Sequence, residues 1–199
     1  MNRNMTFEGP SAIAEYVRTS LSAVVARYET LKYPEHVYDE LREVFSVASD
    51  ICDVDIRRAL EWKFGHTGKS NYPERHKTQI VRVSRLWEST NWPSIATPEA
   101  LFERLRSGGE RFITAAFLTH LSYPTKVPII DQHNFRSMNW FMSSIDPAYH
   151  GKKRPSQFTD LLQLQDFLKH LIEAWPGSDV PTLRQLDKFL MVHGKSVAG

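Results

Sequence analysis

The run Asp131-Gln132-His133-Asn134-Phe135-Arg136 places a carboxylate, an imidazole and a guanidinium within six residues, just after a brief extended link over 125–130. An aspartate at the start of an apolar-spaced segment reads as a helix N-cap. The partial positive charge and open backbone N–H groups of a helix start favour an ionised carboxylate and fix its rotamer. An anion held in that way can orient water or take a proton from it. The same residue can equally be a cap and nothing more, and both readings stay open on this segment alone. Together with His120 and His133, Asp131 offers three metal donors, but their spacing matches no ligand motif, and no metal is expected. His120 itself lies on an apolar helix and reads as a core histidine. The single cysteine, Cys52, excludes an internal disulfide framework, a zinc finger and a four-cysteine iron–sulfur cluster within this chain.

A second group of residues has binding rather than bond-breaking character. Over the whole chain, 25 Lys and Arg face 23 Asp and Glu, a net of +2, so basic character must come from placement. The placement is uneven: Glu29 to Asp55 carries eight acids against Lys32 and Arg42, whereas Arg57 to Arg85 carries eight bases against Glu61 and Glu74. Within the basic stretch Trp62, Phe64 and Tyr72 alternate with Arg57, Arg58, Lys63, Lys69, Arg75 and Lys77, and Gly65-His66-Thr67-Gly68 reads as an exposed loop between helices. Cations that attract phosphate beside aromatic faces that stack on bases suit a nucleic-acid groove. A solvated basic helix face over core aromatics is the other reading of the same pattern.

The elements that must carry these residues are helical. Ile13, Val17, Leu21, Val24 and Val25 recur at three and four residues, as do Val37, Leu41, Val44, Phe45 and Ala48 after Pro34. Thr97-Pro98-Glu99 supplies a hydroxyl cap, a proline at the first helical position and an acid in the first turn, so a helix opens there and stops at Ser107-Gly108-Gly109. The next runs from about Phe112 to Leu121, making an αα-hairpin with a short glycine turn. The Asp131 helix should reach roughly Ser143 before Asp146-Pro147, an apolar helix starts at Phe158 and ends near Pro176-Gly177, and Thr182 opens a last one. Strand alternation is absent. The expected fold class is all-α, with about seven or eight helices in one domain over 1–199. The N- and C-terminal helices would form one lobe, and roughly 57–145 would hold the basic loop, the hairpin and Asp131.

The stretch from Ser107 to Phe141 resembles the helix-hairpin-helix (HhH-GPD) DNA glycosylase superfamily. Its endonuclease III branch carries a hairpin of the form L-P-G-x-G-x-K-T-A and, further on, V-D-T-H-x-F-R-x-x-N. Asp131, His133, Phe135, Arg136 and Asn139 match the second pattern; in the same ungapped register Gly109 takes the first hairpin glycine, and Thr114-Ala115 close the motif. Arg111 stands in place of the second glycine, Ser107-Gly108 in place of Leu-Pro, and Ile113 where bifunctional members carry a catalytic lysine. The motif match covers about 35 residues. The resemblance implies a two-lobed helical fold that binds double-stranded DNA, turns one nucleotide out of the stack and breaks its N-glycosidic bond. Positive charge builds on the sugar in that transition state, so Asp131 would be the catalytic carboxylate. Without an amine at Ile113 no Schiff base forms, and the implied reaction is hydrolytic. Lys126 could supply an amine, a phosphate contact or only a solvated charge.

By the same resemblance Gly108 and Gly109 would bind a DNA phosphate through backbone N–H groups, with Arg111 adding a contact and a monovalent cation possible at the hairpin carbonyls; no other cofactor is expected. Lys63, His66 and Lys69 are further DNA-contact candidates. Phe64, Tyr72, Trp62 and Trp140 are candidates for the base pocket or for filling the gap an extruded base leaves, while His133 and Arg136 would support the structure around Asp131. Lys152-Lys153-Arg154 reads as a basic loop with or without a phosphate contact. The competing reading is a non-catalytic DNA-binding or protein-interaction module of the same fold. No apolar run approaches a membrane span and residues 1–9 lack the apolar core of a signal peptide. A monomer in the cytoplasm (nucleoid) or nucleus, not secreted, is expected, acting in DNA repair or defence.

Overall fold

The structure, a computed structural model, describes residues 5–30, 32–91 and 95–197. Among the described residues there are nine α-helices and no strands: α1 (Pro10–Val25), α2 (Glu35–Val44), α3 (Asp53–Lys63), α4 (Glu74–Glu88), α5 (Pro98–Ser107), α6 (Phe112–Ser122), α7 (Gln132–Ile145), α8 (Phe158–Glu173) and α9 (Leu183–Ser196). The fold is all-α, as the spacing predicts. Helix α2 is shorter than its apolar pattern: it closes with the Phe45 amide on Leu41, and Ala48 falls in a separate single turn of 3-10 helix, Ala48–Asp50. Thr97 caps α5 through its hydroxyl, which accepts from the Ala100 amide at 3.1 Å, and Pro98 occupies the first turn.

The chain divides into two compact units, Met1–Tyr28 with Pro128–Gly199, and Glu29–Val127. The division assigns α7 and Asp131 to the unit of the terminal helices. In that unit α9 packs along α7 and α1, and α8 packs on α1 and α7. Ile13, Val17, Phe135, Met138, Phe141, Leu164, Phe189 and Leu190 are buried at the junctions. Gly194 of α9 crosses α7 so closely that a Cβ there would lie 2.6 Å from the His133 carbonyl carbon. In the other unit α3 packs on α2, α4 and α6, and α5 on α6, around Leu41, Phe45, Leu60, Trp87, Phe102 and Phe117.

One buried group ties the first unit's stability to pH. His193 is 1% exposed among Tyr16, Trp140, Phe141 and Phe189, with Nδ1 hydrogen-bonded to the Ser137 hydroxyl at 2.8 Å. Burial pushes its pKa down to about 4 from an ordinary 6.5. Between those values the unfolded chain binds the proton and the folded chain does not, so stability is complete above the unfolded pKa and falls as pH drops toward the folded one. The loss is on the order of 3 kcal/mol at pH 4. Urea titrations at pH 7 and pH 4 should show this loss in the wild type and a much smaller one in His193→Phe; equal losses would assign the acid sensitivity elsewhere.

Candidate functional site

Asp131 is the N-cap of α7. Its Oδ1 accepts the amides of His133 at 2.6 Å and Asn134 at 3.0 Å, and the Asn134 side-chain oxygen accepts the Asp131 amide at 3.0 Å in return. This reciprocal box satisfies helix-start donors from both sides and leaves the carboxyl one rotamer. The side chain is only half-buried, and Oδ2 takes no hydrogen bond among the described residues. A half-buried carboxylate with one oxygen anchored by two amides and no hydrogen bond to the other among the described residues is therefore built into the start of α7.

His133 and Arg136 sit beside it. The Arg136 Nη1 donates to the Gly194 carbonyl at 3.1 Å and lies 3.3 Å from His133 Nδ1, which must then accept. Burial pushes the His133 pKa down and the Arg136 cation adds to this, while the Asp131 charge opposes it. Both side chains thus brace α7 against α9. Asn139 hydrogen-bonds the Lys152 carbonyl at 2.9 Å and the Tyr149 hydroxyl at 2.7 Å, a structural role in holding the 146–152 loop.

The hairpin of α5 and α6 belongs to the other unit. Its turn closes α5 completely: the amides of Gly108, Gly109 and Glu110 donate to the carbonyls of Arg104, Arg106 and Leu105. Gly109 has φ 87°, a left-handed conformation that suits glycine and ends the helix. The two glycine amides named for a phosphate are therefore spent on helix capping. Among the described residues the amides of Phe112 and Ile113, at the start of α6, find no such acceptor and remain available as donors. The Glu110 carbonyl is taken by Arg106 at 2.7 Å. The Glu110 side chain, 2% exposed, receives Arg82 at 2.7 Å and Gln79 at 3.0 Å; Gln79 also donates to Thr114. Arg111 itself is exposed, as are Gly109 and Lys126, whose ammonium lies over the Tyr123 ring.

The basic stretch resolves into core and surface. Trp62 is a correction to the base-pocket expectation: it is 2% exposed, stacks on Phe117 at 5.4 Å and donates its indole N–H to the Pro34 carbonyl. It is a core residue because one ring face and its only donor are both consumed inside the unit. Phe64 stacks on His76, and Tyr72 on His66, with the His66 and His76 rings joined at 2.8 Å; burial lowers both histidine pKa values. One face of Phe64 and one of Tyr72 is therefore covered, which leaves neither free to enter a base stack from both sides. The Lys63 ammonium sits over the Phe117 ring at 5.1 Å. Trp140 packs edge-on against Phe7, Phe141 and His193. It stands nine helical residues beyond Asp131, roughly 13 Å further along the axis at the backbone.

What the spacing alone does not group is a groove of ≈ 340 Å³ on the α3 and α4 side of this unit, lined by Arg57, Glu61, Lys69, Ser70, Tyr72, Lys77, Ile80 and Val81. Three cations converge there against one acid, and Glu61 accepts the Tyr72 hydroxyl at 2.7 Å. Lys69 and Tyr72 come together as the charge pattern suggests; Arg57 and Lys77 join them because α3 packs on α4. His120 is removed from any metal set. Its Nδ1 donates to the Val127 carbonyl at 2.6 Å, and its Nε2 is hydrogen-bonded to the Tyr38 hydroxyl at 2.7 Å, so both ring nitrogens are engaged inside the unit. Among the described residues no group of three or more metal-binding side chains occurs, and no helix is long and apolar enough to cross a membrane. Comparison with family models, curated proteins and solved structures returns no match.

Proposed function

We propose that this protein is a monofunctional DNA glycosylase, which binds duplex DNA, turns out a modified or damaged nucleotide and hydrolyses its N-glycosidic bond with Asp131 as the catalytic carboxylate. The observation that carries the reading is the split character of that side chain, with Oδ1 locked by two amides and Oδ2 without a hydrogen bond among the described residues. A charge so fixed stabilises a sugar cation without reorganising, and the open oxygen receives a water proton. Ile113, half-buried and without an amine, leaves no Schiff-base step at that position. The test is a panel of duplexes carrying alkylated, oxidised or deaminated bases, incubated with protein and then split into untreated and alkali-treated halves. Strand scission confined to the alkali-treated half supports hydrolytic base removal. Scission in both halves would require a lyase.

The groove of Arg57, Lys69 and Lys77 supplies the sequence-independent part of DNA affinity in this reading, in the unit that also holds the hairpin. Removing all three charges as glutamine should weaken duplex binding and flatten its salt dependence, the log–log slope falling by roughly 0.9 for each phosphate that is no longer neutralised. Titrations by fluorescence anisotropy at several salt concentrations read both effects, and an unchanged slope would remove the groove from the DNA interface.

One observation favours the second reading, a non-catalytic DNA-binding or protein-interaction module of the same fold. The amides of Gly108, Gly109 and Glu110 are all engaged in closing α5, so the turn offers a phosphate fewer donors than the resemblance implies. The two readings part on turnover: both give salt-dependent binding, and only the enzyme leaves abasic sites.

A further inference from the structure

We infer that Asn134 and Asp187 are positioning residues for Asp131, a role that rests on the reading of Asp131 as the catalytic carboxylate. Asn134 is 1% exposed and its amide is fully engaged. The Nδ2 donates to Asp187 Oδ1 at 2.5 Å and to the Ile129 carbonyl at 3.3 Å, while Oδ1 accepts the Asp131 amide at 3.0 Å. A carboxamide can be turned end for end, and only its neighbours decide which end points where. A carboxylate and a carbonyl accept and never donate, so Asp187 and Ile129 force the NH2 toward themselves and the oxygen toward Asp131. The direction of the cap is thus set from α9, 53 residues away along the chain.

Asp187 is in turn fixed. It is 7% exposed, its Oδ2 pairs with Arg184 Nη1, and Arg184 Nη2 donates to the Tyr28 hydroxyl at 2.9 Å. An isolated helix cap needs no such support, since the Asp131 side chain and the first-turn amides suffice. The additional chain from Tyr28 through Arg184, Asp187 and Asn134 links the carboxylate at position 131 to α9 and to the end of the first segment of the unit. Its effect is to prevent the cap from opening and the carboxylate from rotating away from its anchored geometry.

The experiment compares wild type, Asp187→Asn, Asn134→Asp and the double exchange Asn134→Asp/Asp187→Asn. Each substitution is nearly isosteric. The first single variant lets the Asn134 amide turn over; the second sets two carboxylates against each other. The double exchange restores an acceptor facing the Asp131 amide and a donor facing residue 134 from α9, while the Ile129 carbonyl loses its donor, so the rescue is partial. Hydrogen exchange of the His133 and Asn134 amides, read by NMR, should quicken about tenfold in either single variant and return toward the wild-type rate in the double exchange. On a duplex that the wild type processes, single-turnover base release should fall roughly 10- to 100-fold in the single variants, with duplex affinity unchanged, and recover in part in the double exchange. Unchanged cap exchange in both single variants overturns the inference. So does a loss of base release that the double exchange does not relieve. If the wild type releases no base from any duplex, the glycosylase reading fails separately, and the exchange data alone then decide whether Asn134 and Asp187 hold the cap.

Discussion

Gly194→Ala should destabilise the protein by about 3 kcal/mol, a large share of the stability of a domain of this size. In a helix interior alanine is ordinarily favoured over glycine by roughly 1 kcal/mol, so propensity alone predicts the opposite sign. Geometry decides. The added methyl would meet the carbonyl group of His133, with its carbon 2.6 Å away, and a backbone group cannot turn aside as a side chain can. Helices α7 and α9 would have to separate at the place where Arg136 reaches the Gly194 carbonyl and where Asp187 holds Asn134. A lower urea midpoint with an unchanged slope is the expected result; a midpoint equal to or above that of the wild type would show that the two helices can part at little cost.

Asp131→Asn should leave fold and DNA affinity close to wild type and reduce base release on the order of 1,000-fold. Asparagine is as good an N-cap as aspartate, and its carbonyl oxygen can accept the same two amides now held by Oδ1, so α7 should keep its start. What the substitution removes is the negative charge and the ability of the open oxygen to take a proton. Asp131→Ala would confuse the two effects by uncapping the helix. Circular dichroism and duplex titration of the asparagine variant check that only chemistry is lost.

Local features of this chain are legible because they are decided by neighbours in sequence. Thr97-Pro98 opens α5, Gly109 ends it, and Asp131 caps α7, each through contacts within a few residues. Features decided by packing are not. Trp62 and Tyr72 belong to one alternating pattern, yet one ring fills the core against Phe117 from the face of α3 that meets α6, while the other, in the loop between α3 and α4, reaches the groove. Glu110 looks like any acid in a turn and is buried because Arg82 and Gln79 of α4 arrive to receive it. Gly194 resembles a helix weakness in sequence and is a point of very close approach between two helices. Asp187, within a charged final segment, gives no hint that it orients an amide next to Asp131.

The most direct measurement of the central claim is the single-turnover rate of base release for wild type and Asp131→Asn on one processed duplex, at protein concentrations that saturate both. The account predicts release by the wild type, visible as strand scission only after alkali, and a rate for the variant near the uncatalysed background. Equal rates for the two proteins would contradict it, because the anion at the start of α7 would then have no part in breaking the bond.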